Sequence, residues 1–271
     1  MNSSKKIKIG IFDSGLGGLT VFKSLANTYR HNTSFIYLGD LAHLPYGDKS
    51  QESIIKYSQR IVDFFIKQKV DIIIVACNSA SSVALNQIKC DVPIIGTIQP
   101  SVQSVIKSNN SKLIGIIGTD TTINSKAYNR AFEDYNNYTI YSVSCPLFVP
   151  IVEEGWENTD IAHQIATKYL NQFQSINLDT IILACTHYPM LLDTLKSVFK
   201  KLGHHNLYFI DSGKAITQYL SSKLSLIPDQ KPADILHLND KFYITDTSYQ
   251  FNKLANRFLG TDIPNIELIT L

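Results

Sequence analysis

Two of the four cysteines stand in matched surroundings. Cys77 follows Ile74-Val75-Ala76 and precedes Asn78-Ser79, while Cys185 follows Ile182-Leu183-Ala184 and precedes Thr186-His187. Each ends an aliphatic run and opens a polar one, where a strand hands over to a helix and free backbone N–H groups bind carboxylates and favour a thiolate. A lone cysteine after a buried strand is ordinarily a small core residue. Two in one context suggest a reaction that uses two thiols. Inverting a stereocentre by proton exchange needs a base on one face of the carbon and an acid on the other, and a thiol with a reference pKa of about 8.5 serves as either once its surroundings adjust it. One must be thiolate while the other is thiol. The hydrogen to be removed is weakly acidic, so a site without a cofactor has to stabilise the carbanion with positioned hydrogen bonds, away from water.

The segment Asp13-Ser14-Gly15-Leu16-Gly17-Gly18 is also suited to a ligand, because glycines permit a tight turn and bring N–H groups close to an anion. Its spacing does not match the dinucleotide fingerprint, and no Gly-Lys-Ser/Thr follows for a nucleotide loop. Cys90 and Cys145 lack matched surroundings and read as structural or incidental. Without a CxxC pair or the histidine spacing of a metal site the chain suggests neither a disulfide framework nor a zinc site. The pair His204-His205 reads as solvated surface.

Short aliphatic runs recur: Ile7 to Phe12, Ser34 to Leu38, Ile72 to Ala76, Leu113 to Ile117, Ile181 to Ala184 and Leu207 to Ile210. They read as buried parallel strands. Between them, stretches such as Ser50 to Lys69 place Ile54, Ile61 and Phe65 on one helical face, with Ser50 as N-cap. Strand then helix, repeated, means an α/β fold with open sheets. The chain also echoes itself, Ile9-Gly10-Ile11-Phe12 in Ile114-Gly115-Ile116-Ile117 and Ala76-Cys77 in Ala184-Cys185. The expectation is two similar open-sheet α/β domains of pseudo-twofold likeness, residues 1–97 with 210–271 and residues 98–209. The active site would lie in the cleft between the carboxyl edges of their sheets.

The 271 residues, 44% hydrophobic and 18% charged, can bury one large core or two modest ones. Net charge is +2 and the only basic cluster is Lys5, Lys6 and Lys8, too little to argue for nucleic acid or a membrane surface. No apolar run approaches the roughly 20 residues of a spanning helix, and Met1-Asn2-Ser3-Ser4 opens no signal region, so a cytoplasmic location is expected.

Six ordered motifs carry a resemblance. They are Phe12 to Val21, Pro45-Tyr46-Gly47, Ala76-Cys77-Asn78-Ser79-Ala80, Gly118-Thr119 with Thr122, Pro150 to Gly155, and Leu183-Ala184-Cys185-Thr186-His187-Tyr188-Pro189. In this order the chain resembles the aspartate/glutamate racemase family, in its glutamate branch, along nearly its whole length. Ala184, where glycine is common in the family, and Gln99 are small departures. The resemblance implies interconversion of L- and D-glutamate without pyridoxal phosphate, metal or nucleotide, supplying D-glutamate for peptidoglycan and so for cell-wall biogenesis and cell shape. It allows a homodimer.

By the same resemblance Cys77 takes the α-proton from the D-isomer and Cys185 from the L-isomer. Asp13 assists beside Cys77, and His187 with Glu153 beside Cys185. Substrate contacts fall to Asp13, Ser14, Tyr46, Gly47, Cys77, Asn78, Ser79, Thr119, Thr122, Thr186 and His187. Most are neutral donors, suited to two carboxylates held without an arginine clamp. Plainer readings stand beside these: Asp13 as a turn cap, Tyr46 as a surface turn, His187 as a helix cap, and Glu153 with Glu154 as a solvated turn. Other classes stay open: a cysteine hydrolase or amidase using Cys185 and His187, and a non-catalytic carboxylate clamp. Within the family, so does an aspartate or broad-specificity racemase.

Overall fold

In the computed structural model residues 6–108, 112–224, 226–229, 234–247 and 251–271 are described. Lys5 of the basic run and the opening Met1-Asn2-Ser3-Ser4 lie outside them.

Strand and helix alternate along the chain. The first half runs β1 (Ile7–Asp13), α1 (Leu19–Tyr29), β2 (Thr33–Gly39), α2 (Gln51–Lys67), β3 (Ile72–Val75), α3 (Asn78–Val83), β4 (Ile94–Gly96) and α4 (Ile98–Lys107). There follow β5 (Leu113–Gly118), α5 (Asp120–Asn124), α6 (Ala127–Phe132), β6 (Thr139–Ser144), α7 (Phe148–Glu154), α8 (Asp160–Leu170), β7 (Thr180–Ala184), α9 (Leu192–Lys201) and β8 (Tyr208–Asp211). The remainder is α10 (Ser212–Leu224), β9 (Lys241–Ile244), α11 (Phe251–Leu259) and β10 (Ile266–Leu268).

The strands form two open parallel sheets, in the orders β10-β9-β2-β1-β3-β4 and β6-β5-β7-β8. This is the α/β architecture that the alternation predicts. Runs such as Ile72-Ile73-Ile74-Val75 are buried on both faces, as strands covered by helices on either side must be. The order β2-β1-β3-β4 repeats as β6-β5-β7-β8, so the sequence echo corresponds to a repeated topology. In each unit the cysteine-bearing strand pairs with the opening strand, Phe12 against Val75 and Gly118 against Ala184. The run Ile94 to Thr97, read from the sequence only as the end of a domain, forms β4 on β3, with Thr97 at the start of α4.

Helices cover the sheets through their apolar faces. On α2 the buried positions are Ile54, Ser58, Ile61, Val62 and Phe65, and Ser50 caps the helix by accepting the Ser53 N–H at 3.3 Å. One apolar cluster contains Ile11 and Ile74 from the larger sheet and Ile117 and Ile181 from the smaller. Arg30 is 4% exposed, lies over the rings of Phe22 and Phe35, pairs with Asp240 at 2.9 Å and donates to Ile235 O. Since Asp240 also accepts the Phe35 N–H, this pair fastens the approach to β9 onto β2.

Because Ile74 is fully buried in the strand that delivers Cys77, Ile74→Ala should cost about 2–5 kcal/mol in urea unfolding. Ile66→Ala, on the exposed side of α2, should change it by about 0.5 kcal/mol or less. Equal losses would contradict the packing described.

Candidate active site

A cleft of about 400 Å³ opens where the carboxyl ends of the two sheets face each other, and both Cys77 and Cys185 line it. Asp13 and Ser14 reach it from the end of β1, Thr119 from the end of β5, and Thr186 and His187 from the turn after β7. Two residues follow the tip of β3 to give Cys77 and one follows β7 to give Cys185. The shared topology therefore brings the thiols to a common space.

The two thiols have different surroundings. Cys77 caps α3, its sulfur accepting the Ala80 N–H at 3.5 Å and its thiol donating to Ser14 Oγ at 3.8 Å. Burial, and next the Asp13 carboxylate, push this thiol up to about 12, against the pull of those two hydrogen bonds. Asp13 is itself raised by burial, against the opposing effects of His187 and the Gly15 and Gly18 N–H groups. Its Oδ2 accepts the Gly15 N–H at 3.1 Å and its Oδ1 the Thr186 hydroxyl at 3.5 Å. The turn-cap role of Asp13 thus coexists with its place beside Cys77.

At the other thiol, His187 Nδ1 lies 3.9 Å from Cys185 Sγ and Nε2 lies 3.0 Å from Glu153 Oε1. Burial alone would lower the imidazole, but the Cys185 sulfur and the Glu153 carboxylate outweigh it and raise His187 to about 10. A Cβ at Gly17 would fall 2.5 Å from the His187 ring, so only glycine lets the β1 loop lie against this pair.

The remaining walls are rich in hydroxyls. Ser79 Oγ and Thr119 Oγ1 meet at 2.8 Å across the cleft, and Thr122 stands one layer behind, 3.1 Å from Thr119 Oγ1. Asn78 donates to Tyr128 Oη at 3.0 Å, while its buried Oδ1 has no protein partner. Tyr46 is buried, not a surface turn, and donates to Asp40 at 2.5 Å. Burial and that carboxylate raise its phenol. Thr121 donates to Gly47 O at 2.7 Å, joining the Tyr46 loop to α5. Among the described residues no lysine or arginine lines the cleft.

Glu153 sits in the last turn of α7 instead of a solvated turn, and His187 makes no side-chain cap. His204, expected at the solvated surface, is hydrogen-bonded to Phe173 O at 3.2 Å and lies edge-on to Phe199. Leu44, Leu147, Val149 and Asp48 line the cleft without having been singled out in the sequence, and Asp40, Tyr128 and Arg257 stand behind it. Asp40 precedes Tyr46 by only six residues, a local signal; Tyr128 and Arg257 carry none. Among the described residues no three His, Cys, Asp or Glu side chains group to hold a metal, and no helix is long and apolar enough to cross a membrane.

Since Asp13 raises the Cys77 thiol, Asp13→Asn should lower its pKa and increase the thiolate fraction at pH 8. Alkylation of Cys77 by iodoacetamide, followed by peptide mass spectrometry, should then be faster than in wild type. The wild-type rate should climb about tenfold per pH unit from pH 7 to 10. A slower D13N reaction would remove Asp13 as the group that holds the proton on sulfur.

The sequence matches the Asp/Glu/Hydantoin racemase family over residues 9–220. Glutamate racemase from Persephonella marina is 41% identical over 263 residues, covering 95% of each chain. A crystal structure of glutamate racemase from Francisella tularensis in complex with D-glutamate superposes with a TM-score of 0.85 at 33% identity, covering 98% of each chain. That of a Bacillus anthracis glutamate racemase isoform gives 0.86 at 32% identity, covering 99% of each. The chain belongs to the Asp/Glu/Hydantoin racemase family and so is a racemase, an isomerase.

Proposed function

We propose that this racemase interconverts L- and D-glutamate by two-base proton exchange between Cys77 and Cys185. The observation that carries the reading is that the thiols at the ends of the equivalent strands β3 and β7 line one cleft, each with its own proton-handling partner. We further propose that residues 1–97 with 210–271 form the lobe that supplies Cys77, and residues 98–209 the lobe that supplies Cys185.

In the L-to-D direction the Cys185 thiolate takes the α-proton, so a C–H bond breaks and an S–H bond forms. The carbanion then takes the proton of the Cys77 thiol on its opposite face. The D-to-L direction runs the same steps in reverse, and no outside oxidant or cofactor is required. Burial and the Asp13 carboxylate favour the protonated Cys77, the form that the donor in the first direction must take. In the reverse direction it must act as a base, and a bound α-ammonium close to Asp13 and Cys77 would lower it by offsetting the carboxylate. His187, held by Glu153, steadies negative charge on Cys185.

The hydroxyls of Ser14, Ser79, Thr119 and Thr186, the Asn78 amide and the backbone around Tyr46 and Gly47 supply donors for two carboxylates, with Thr122 orienting Thr119. Donors placed before charge develops stabilise the carbanion without reorganising. The named relatives support glutamate as the substrate. On this reading the protein works in the cytoplasm and supplies D-glutamate for peptidoglycan, hence for cell-wall biogenesis. A hydrolase built on Cys185 and His187 alone would leave Cys77 and Asp13 without a task.

Pyridoxal-free protein incubated with L-glutamate in heavy water should lose optical rotation and gain α-deuterium, with L-aspartate reacting far more slowly. Exchange only from aspartate would move the substrate, and no exchange in folded protein would end the proposal. Cys77→Ser and Cys185→Ser should each lower kcat by roughly 10²–10⁴-fold, the contribution of a positioned acid or base. Full activity in either would exclude the two-base reaction.

A further inference from the structure

The end of α7 is gripped by a residue from the other end of the chain. After Glu153 the helix closes in a Schellman arrangement, the Trp156 N–H bonding to Ile151 O at 2.9 Å and the Gly155 N–H to Val152 O at 3.1 Å. Gly155 takes the left-handed conformation, φ +83°, that such an ending requires. Arg257 of α11 then reaches this terminus. Its Nη1 donates to Val152 O at 2.7 Å and to Glu153 O at 3.3 Å, while Nη2 donates to both carboxylate oxygens of Glu157 at 2.7 Å. A Cβ on Gly155 would stand 3.3 Å from Nη1, so the glycine also leaves room for the guanidinium. The next residue, Phe258, sets its ring edge-on to that of His187 at 5.1 Å.

These contacts meet at the weakest link beside Cys185. The Glu153 side chain is 37% exposed and reaches His187 through a single hydrogen bond of 3.0 Å. An ion pair with that exposure contributes little unless its geometry is imposed from elsewhere. Arg257 holds the backbone carbonyl of Glu153 itself, and Phe258 bounds the His187 ring. Glu157 engages the guanidinium on the other side, so its charge does not draw the Glu153 carboxylate away from the imidazole. Since α11 lies between β9 and β10 of the larger sheet, the clasp runs from that lobe to the end of α7.

We propose that Arg257 is a positioning residue for the Cys185 half of the reaction: by clasping the end of α7 it keeps the Glu153 carboxylate on His187, and through His187 on the Cys185 sulfur. The role rests on the two-base reading given above. It separates from a purely structural one by coupling, because a group that acts through Glu153 has nothing left to act on once Glu153 is neutral.

The experiment compares wild type, Arg257→Gln, Glu153→Gln and the double variant. One readout is glutamate racemisation; the other is the iodoacetamide alkylation rate of Cys185 at pH 7.5, with Cys77 in the same sample as internal reference. R257Q should lower kcat about tenfold with KM within about twofold. It should slow Cys185 alkylation by a similar factor and leave Cys77 unchanged. In the E153Q background the same substitution should change neither readout. R257Q at the wild-type rate, or an equal loss with and without Glu153, overturns the proposal. If R257Q does not fold, Glu157→Gln, which frees the guanidinium to compete for Glu153, should give the same selective loss at Cys185, and its absence overturns the proposal equally. Alkylation does not depend on the substrate, so a wild-type protein inert towards glutamate would fail the proposed function while this test still reads.

Discussion

Parallel pairing of β1 with β3 and of β5 with β7 is the constraint on which the cleft depends. Parallel strands leave a sheet on one edge, so residues distant in sequence emerge side by side wherever neighbouring strands end together. Phe12 opposite Val75 brings Asp13 and Ser14 out beside Cys77, and Ile117 opposite Leu183 brings Thr119 out beside Cys185. Slipping either register by one residue would exchange the side chains packed on the two buried faces, so the packing that stabilises the sheets also fixes the position of the chemistry.

The same register shows where the two halves stop being alike. Counting from the paired strands, Ser14 corresponds to Thr119 and Asn78 to Thr186, hydrogen-bonding groups in both halves. Asp13, however, corresponds to Gly118, and His187 to Ser79. The carboxylate is present in one half only and the imidazole in the other only. A repeated fold thus sets different partners beside its two thiols: a carboxylate that raises Cys77, and an imidazole in contact with Cys185.

Much of this was legible in the sequence because it is local. Aliphatic runs mark the strands, the small polar residues after each cysteine mark the strand-to-helix turns, and the glycines at 15, 17 and 18 mark the loop against His187. The strands β6, β9 and β10 were not legible, and β4 was read only as the end of a domain. Thr139 to Ser144 is half polar, and β9 and β10 take their place from pairing with a sheet that already exists. Nor was the layer behind the cleft: Tyr128, Arg257 and Phe258 act across tens to hundreds of residues, and nothing in an arginine's neighbours says which helix end it will reach. Asp40 is intermediate, close to Tyr46 in sequence yet completed by Thr245 from the end of the chain.

The unequal wiring of the two thiols has a kinetic meaning. Enantiomers have equal free energy in water, so whatever Asp13 and His187 do, the equilibrium mixture is even and the ratio kcat/KM must be the same from either isomer. Asymmetry at the site can alter only how the bound states divide, which isomer saturates at lower concentration and which turns over faster once it does. On the two-base reading proposed above, a carboxylate on one side and an imidazole on the other set the enzyme's response to a rising pool of one isomer, leaving the direction of net flux to whatever removes the product.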